Sequence, residues 1–313
     1  MGHVPVLLQE SVDLLVSGRR VAGGAGVLVD ATFGGGGHSR ALLESSGDRV
    51  LVVAIDRDPD AGARAQPLFQ RFAPRFKLLR GNFADLSRLL DAAGIDKIDG
   101  LLLDIGLSSF QLEDGERGFS FQTDGPLDMR MDPSCGEPAA AVVNRADDKT
   151  LSRIFRDFGE EPYAVAIAKK IVEKRSGKPF LTTRSLALLV EEMVPPYKRS
   201  HRHPATRIFQ ALRIYVNDEL GALREVLETG LARLDHGARL VVISYHSLED
   251  RLVKQVFRQA GKGCICPPRV PVCTCGRQPQ VRILHPGGIR PQAGEIALNP
   301  RSRSACLRVV ECL

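Results

Sequence analysis

The chain has no tryptophan, and aromatic residues make up only 5% of its 313 positions. A stacking platform for single-stranded nucleic acid would have to rest on a few Phe, Tyr and His side chains or on Arg. There is no uninterrupted apolar run long enough to cross a bilayer, and no signal-peptide pattern. Cytoplasmic residence is therefore expected, with no membrane partner. The seven cysteines are odd in number and come without a secretion signal, which argues for reduced thiols and against a disulfide framework. Two phosphate-binding signatures are also missing. The P-loop needs a lysine after its glycines, and none follows the glycine run here. The dinucleotide pattern G-x-G-x-x-G ends on Ser39 if begun at Gly34, and on Arg40 if begun at Gly35. The remaining composition, 43% hydrophobic and 26% charged, is that of a soluble globular protein. A net charge of +6 and a pI near 9.0 favour a polyanionic partner.

The most informative stretch present is Asp30-Ala31-Thr32-Phe33-Gly34-Gly35-Gly36-Gly37-His38-Ser39. It follows the apolar run 26–29 and precedes a helix-like segment, so it reads as strand, tight turn and helix start. A second apolar run, 50–55, ends in Asp56. A carboxylate at a strand tip suits a ribose, whose two hydroxyls donate to it. Asp30, placed just before the loop, would repel a diphosphate but would suit the amino group or sulfonium of S-adenosylmethionine. That cofactor is the one expected.

Strand and helix signals alternate from residue 27 to about residue 106. Strands are predicted over 27–32, 50–55, 76–80 and 98–103, the last ending in Asp104. Near-continuous apolar strands separated by helices indicate a parallel sheet covered on both faces. The expected class is α/β, a Rossmann-like class I methyltransferase core carrying an inserted small all-helical domain. Residues 107–137 read as a long ordered loop, and 138–203 show helical periodicity without a clear strand. Domain borders are thus expected at 1–137, 138–203 and 204–313. A long helix over 205–234, a strand over 239–244, a helix over 248–259 and a last strand over 305–310 complete the reading. Within 261–304 lie Cys264-Ile265-Cys266 and Cys273-Thr274-Cys275. Zinc fingers usually space their ligands as C-x₂-C, whereas this chain has C-x-C twice. The segment is read as a reduced cysteine-rich loop and no metal is assigned.

Ligands of open parallel sheets bind beyond the carboxyl ends of the strands. The candidates are therefore the glycine loop with His38, then Asp56, Asn82-Phe83, the run Asp104 to Gln111, and Ser244-Tyr245-His246-Ser247. Phe83 could pack on an adenine ring, and Asn82 or Gln111 could hydrogen-bond the adenine or the methionine moiety. Methyl transfer from a sulfonium is an in-line displacement in which the protein mainly supplies position and electrostatic environment. An exocyclic amine on a base is a poor nucleophile, because its lone pair is delocalised into the ring. Acceptors that bind its N–H protons hold that lone pair toward the methyl. Asp104, with Ser108 nearby, would serve that end, and His246 is the third catalytic candidate. No cysteine falls at these strand tips, so attack by nitrogen or oxygen is preferred over attack by carbon.

These blocks resemble the bacterial ribosomal RNA small-subunit methyltransferase H family, also called MraW. The resemblance runs nearly end to end. It begins at His3-Val4-Pro5-Val6-Leu7 and passes through the glycine loop and Asp104-Ile105-Gly106-Leu107-Ser108-Ser109. It continues through Arg117-Gly118-Phe119-Ser120-Phe121, Leu127-Asp128-Met129-Arg130-Met131, His203-Pro204-Ala205-Thr206-Arg207 and Ser244-Tyr245-His246-Ser247-Leu248-Glu249. The resemblance implies S-adenosylmethionine-dependent methylation of the exocyclic N4 of a cytidine in the decoding region of 16S rRNA, with the small ribosomal subunit as partner. It implies cofactor contacts at Gly36, Gly37, His38, Asp56, Phe83, Asp104 and Gln111, and a helical insertion in the core. DNA is not expected, because the [DNS]-P-P-[YFW] motif of DNA amino-methyltransferases is replaced here by Asp104-Ile105-Gly106-Leu107. Lys169, Lys170, Lys174, Arg175, Lys178, Lys198, Arg199, Arg202 and Arg207 would supply positive charge toward RNA.

Overall fold

A computed structural model describes residues 5–195, 197, 203–264, 266 and 275–313. His3, Val4, Lys198, Arg199, Arg202, Cys273 and Thr274 lie outside the described residues. The chain divides into two compact units, 1–106 with 220–313, and 107–219.

The first unit is α/β, as the alternation predicts. Its strands are β1 (Ala25–Asp30), β2 (Arg49–Asp56), β3 (Phe76–Arg80), β4 (Ile98–Asp104), β5 (Leu234–Ser244), β6 (Val281–Ile283) and β7 (Cys306–Cys312). They form one sheet in the order β3-β2-β1-β4-β5-β7-β6. β1 to β5 run parallel, while β7 lies antiparallel to both β5 and β6. Successive residues of each strand feed opposite faces. Val29, Val53, Ile55, Leu101, Leu103, Leu240 and Val242 belong to one buried cluster. Leu28, Val52, Ala54, Leu102, Val241 and Ile243 belong to the other. Burial on both faces explains why these strands read as unbroken apolar runs. The strand order reverses around β1, which has β2 on one side and β4 on the other, so the crevice between β1 and β4 is the topological switch point. Asp30, Asp56 and Asp104 end β1, β2 and β4 at that edge of the sheet.

Three parts of this unit depart from the sequence expectation. The fifth strand starts at Leu234, because its first residues pair with β4 across an irregularity near Ile98. The three-residue β6 had no alternation to show, and it exists through its pairing with β7. Two N-terminal helices, Leu8–Val16 and Arg19–Ala22, precede the sheet.

The second unit is held by helices Ala139–Arg145, Asp148–Asp157, Ala164–Arg175, Thr183–Met193 and Ala205–Asn217. Their periodic residues Leu151, Ile154, Phe155, Ile167, Ile171, Leu186, Val190, Ile208 and Leu212 are buried in one cluster. The borders expected at 138 and 203 differ from those of the unit, which fall at 107 and 219. Packing explains the difference. Phe119, Leu127, Met129 and Met131, inside the stretch read as a loop, are buried in the helical cluster. Asn217 at the far end donates to the Met129 carbonyl and accepts from the Met131 amide, at 2.7 and 2.8 Å. The long helix expected over 205–234 is two helices. Asp218 breaks it with a left-handed φ of 46°, which an aspartate tolerates better than most residues. Among the described residues, no helix is long and apolar enough to cross a membrane.

Candidate active site at the strand tips

The glycine loop is shaped by its own packing. Gly36 has a φ of 77°, and a Cβ there would sit 2.7 Å from the Phe33 ring. A Cβ on Gly37 would run into the ring of Pro5. Both positions exclude larger residues before any ligand is considered. Helix Gly37–Ser45 starts within this run, so His38 and Ser39 are helical and buried. Asp30 is fully buried and spent on the same loop: it accepts from the Ser39 hydroxyl at 2.6 Å and from the Thr32 amide at 3.2 Å. These bonds give Asp30 a structural task whatever ligand lies nearby. Its carboxylate braces the turn.

Asp56 sits opposite the loop. Its carboxylate oxygens accept from the Gly34 amide and the Asp58 amide, both at 2.9 Å. Arg64 closes the arrangement, donating to the Gly34 carbonyl at 2.8 Å while its Nη2 lies 3.9 Å from Asp56 and 3.4 Å from Asp58. Burial pushes the Asp56 carboxyl above its usual range, and the two amides and Arg64 pull it partly back. Each Asp56 oxygen has spent one lone pair on an amide, so each keeps one with which to accept from a hydroxyl.

Asp104 ends β4. Its amide donates to Thr32 Oγ1 at 2.7 Å, tying the β4 tip to the residue just past β1. Oδ1 accepts from the Tyr245 hydroxyl at 2.7 Å, and Oδ2 lies 3.7 Å from His38 Nδ1. Burial raises the Asp104 carboxyl, opposed by the His38 charge and the Tyr245 bond. Burial, with Asp104 next, also pushes the Tyr245 hydroxyl well up, so it stays a donor. His38 Nε2 is 3.2 Å from the Val6 carbonyl, which can only accept. Nε2 therefore carries a proton, and Nδ1 is the nitrogen turned toward Asp104.

Tyr245 and Glu249 are the residues that sequence reasoning left without a role. Tyr245 was visible within Ser-Tyr-His-Ser, one residue beyond an apolar strand. Glu249 had a signal too, because His246-x-x-Glu249 has the spacing of a capping box. In the structure His246 is the N-cap of helix Ser247–Ala260, and its side chain accepts from the Glu249 amide. Glu249 Oε2 accepts from the Tyr245 and His246 amides at 2.8 and 3.2 Å. His246 Nε2 lies 2.9 Å from Glu249 Oε1, with an orientation that makes no hydrogen bond. His246 thus supports the turn that aims Tyr245.

Phe83 begins a short 3-10 turn capped by Asn82, whose side-chain oxygen accepts from the Ala84 amide at 3.1 Å. The Phe83 ring is half-buried against the sheet cluster. Ser108 and Gln111 belong to the second unit, where they close a reciprocal cap. Ser108 Oγ accepts from the Gln111 amide at 3.3 Å, and Gln111 Oε1 accepts from the Ser108 amide at 3.2 Å. Gln111 thereby commits its carbonyl and keeps its NH₂ as a donor. The first unit thus brings together Gly36, Gly37, His38, Asp56, Asp104 and Tyr245 along one edge of the sheet.

Comparison with known proteins gives the family. The ribosomal RNA small subunit methyltransferase H of Thermomicrobium roseum is 52% identical over 309 residues, covering 99% of this chain and 93% of that protein. The protein of the same name from Syntrophotalea carbinolica is 52% identical over 288 residues, 92% of each chain. That of Trichlorobacter lovleyi is 48% identical over 312 residues, covering 99% of this chain and 98% of the relative. The profile of the MraW methylase family matches residues 1–313, and the chain belongs to that family of methyltransferases.

Proposed function

We propose that this chain methylates the exocyclic N4 of a cytidine in the decoding region of 16S rRNA within the small ribosomal subunit, using S-adenosylmethionine. The observation that carries the reading is the Asp104 carboxylate at the switch point, with one oxygen already taken by Tyr245. The relatives named as small-subunit rRNA methyltransferases supply the substrate class. The residues present suit the cofactor. Asp56 retains one acceptor lone pair on each oxygen for ribose hydroxyls, and the glycine loop offers backbone rather than side chains. Gly36, Gly37 and His38 would border it, with Phe83 toward the adenine and Gln111 offering its NH₂. When bound, S-adenosylmethionine supplies a methyl group on a sulfonium that leaves as a neutral thioether.

The protein's part is then acceptance and aim. Tyr245 fixes the rotation of the Asp104 carboxylate by holding Oδ1, so Oδ2 is the oxygen presented to an incoming N–H. Accepting that hydrogen bond turns the nitrogen lone pair outward and stabilises the positive charge that grows on nitrogen as the bond to carbon forms. Ser108 is the second proposed acceptor, and His246 acts through the turn that carries Tyr245. The cytidine must be unstacked before its amine can be reached. The test is mass spectrometry of rRNA nucleosides from cells lacking the gene, with and without complementation. N4-methylated cytidine should vanish from 16S rRNA and return with the gene; an unchanged level overturns the reading.

A further inference from the structure

A second cluster of reactive side chains lies away from the strand tips. Helix Ser247–Ala260 and strand β6 are joined by residues 261–280, and the junction is closed at its base. The Gln280 amide donates to the Ala260 carbonyl at 2.9 Å, and the Leu313 amide to the Gln280 carbonyl at 3.0 Å. The sequence between them is Gly-Lys-Gly-Cys-Ile-Cys-Pro-Pro-Arg-Val-Pro-Val-Cys-Thr-Cys-Gly-Arg-Gln-Pro-Gln, with four prolines and only three large aliphatic residues. A connection so poor in apolar side chains cannot build a core of its own.

Three thiols converge there. The sulfur atoms of Cys264, Cys266 and Cys275 all lie within 4.8 Å of one another. Cys264 Sγ and Cys275 Sγ are 3.9 Å apart although eleven residues separate them in sequence. Tetrahedral zinc holds thiolates about 2.3 Å from the metal, which places neighbouring sulfurs about 3.8 Å apart. A disulfide would need about 2.05 Å between them. Cys264 is exposed, and Cys266 and Cys275 are half-exposed, so a metal has a path in. A set of soft thiolates suits zinc, and not magnesium or calcium, which take oxygen ligands.

The geometry points to a structural zinc site formed by Cys264, Cys266 and Cys275, with a fourth donor completing the tetrahedron. Binding converts three thiols to thiolates and releases three protons, with no change of oxidation state. The centre staples a proline-rich excursion that has no hydrophobic core. It is separate from the chemistry at Asp104, and it would have been missed from ligand spacing alone because the chain has C-x-C where C-x₂-C is usual.

The full chain, purified without chelators and equilibrated with zinc sulfate, is assayed for metal by mass spectrometry, and its apo form is titrated with cobalt(II). The expected result is one zinc per chain, together with a cobalt complex showing the intense thiolate-to-metal band of a tetrahedral sulfur site. Cys264→Ser, Cys266→Ser and Cys275→Ser should each lose the zinc, while Cys135→Ser and Cys312→Ser keep it. Circular dichroism checks that the variants retain their secondary structure, and the cobalt spectrum of the unaltered chain decides the matter even if a variant does not fold. No zinc after equilibration, a cobalt spectrum without the thiolate band, or a Cys264–Cys275 disulfide in the native protein would overturn the assignment.

Discussion

The strand tips of the first unit and helix Ala164–Arg175 of the second handle charge in opposite ways. At the strand tips of the first, polar groups are buried and bonded to one another: Asp30 to Ser39 and Thr32, Asp104 to Tyr245, Glu249 to the Tyr245 and His246 amides. In the second, the basic side chains of helix Ala164–Arg175 and its surroundings sit at the surface. Lys170 is paired with Glu173 at 2.8 Å and Lys174 with Glu192 at 2.9 Å. Arg175 and Arg207 instead donate to backbone carbonyls, Arg175 to Val143 and Ala146, and Arg207 to Glu160. Low dielectric strengthens a buried bond and makes its loss expensive, whereas a surface pair is worth about 0–1 kcal/mol. The strand tips should therefore answer to single atoms, and the helix surface to the sum of its charges.

Asp104→Asn is the sharpest probe of that difference. It keeps an acceptor for Tyr245 but removes the charge that, on our reading, faces the substrate amine. Methylation of small subunits should fall on the order of 10²–10³-fold, the usual cost of removing one preorganised polar group. Stability should move the other way. Burial raises the Asp104 pKa from 3.8, so this group favours the folded state fully below 3.8, and that contribution is lost as pH rises through the raised value. At neutral pH the variant should melt at a higher temperature than the parent, and the gap should close as pH falls below 3.8. A variant that loses activity and stability together at neutral pH would make Asp104 a mere structural residue.

Asp56→Ala removes a carboxylate that braces the glycine loop and, on our reading, the ribose. Losing hydrogen bonds to a charged group costs about 1.5–3 kcal/mol, so calorimetry should find S-adenosylmethionine binding weaker by about ten- to hundredfold. An unchanged dissociation constant rejects the ribose role. Tyr245→Phe keeps the ring and deletes only the hydroxyl that holds Asp104 Oδ1. Its effect should appear in kcat, by about tenfold, with cofactor binding unaltered. An equal loss in cofactor affinity would place Tyr245 in the cofactor pocket instead of behind Asp104.

Much of the first unit was legible because its signals are local. An apolar run buried on both faces of a parallel sheet needs no partner to be recognised, and a strand-tip aspartate announces itself by following one. The strands that carry Asp30, Asp56 and Asp104 were all visible this way, though the first was drawn two residues past Asp30. What escaped depends on long-range contact. β6 is three residues long and exists only beside β7. The Tyr245–Asp104 bond joins residues 141 apart, and the Ser39–Asp30 bond forms only once the glycine loop folds back. The second unit was misdrawn at its ends for a related reason. Residues 107–137 carry no periodicity, yet Phe119, Leu127, Met129 and Met131 bury themselves among helices whose periodicity is plain. The three thiols are the extreme case, since spacing spoke against a metal and only their meeting in space speaks for one.

The smallest expected effect tests the surface side of the comparison. Lys169 and Lys178 are exposed, whereas the Lys174 ammonium is already offset by Glu192. If exposed lysines contact phosphate, binding to small subunits should weaken with salt. Lys169→Ala and Lys178→Ala should each reduce the slope of log affinity against log salt by about 0.7–0.9, the release of roughly one counterion. Lys174→Ala should reduce it less, because leaving Glu192 for a phosphate returns part of what the contact gains. Affinity at fixed low salt should change only a few-fold in each case, so the slope is the measurement that discriminates. Equal slopes in all three variants and the parent would mean that these lysines do not meet the RNA.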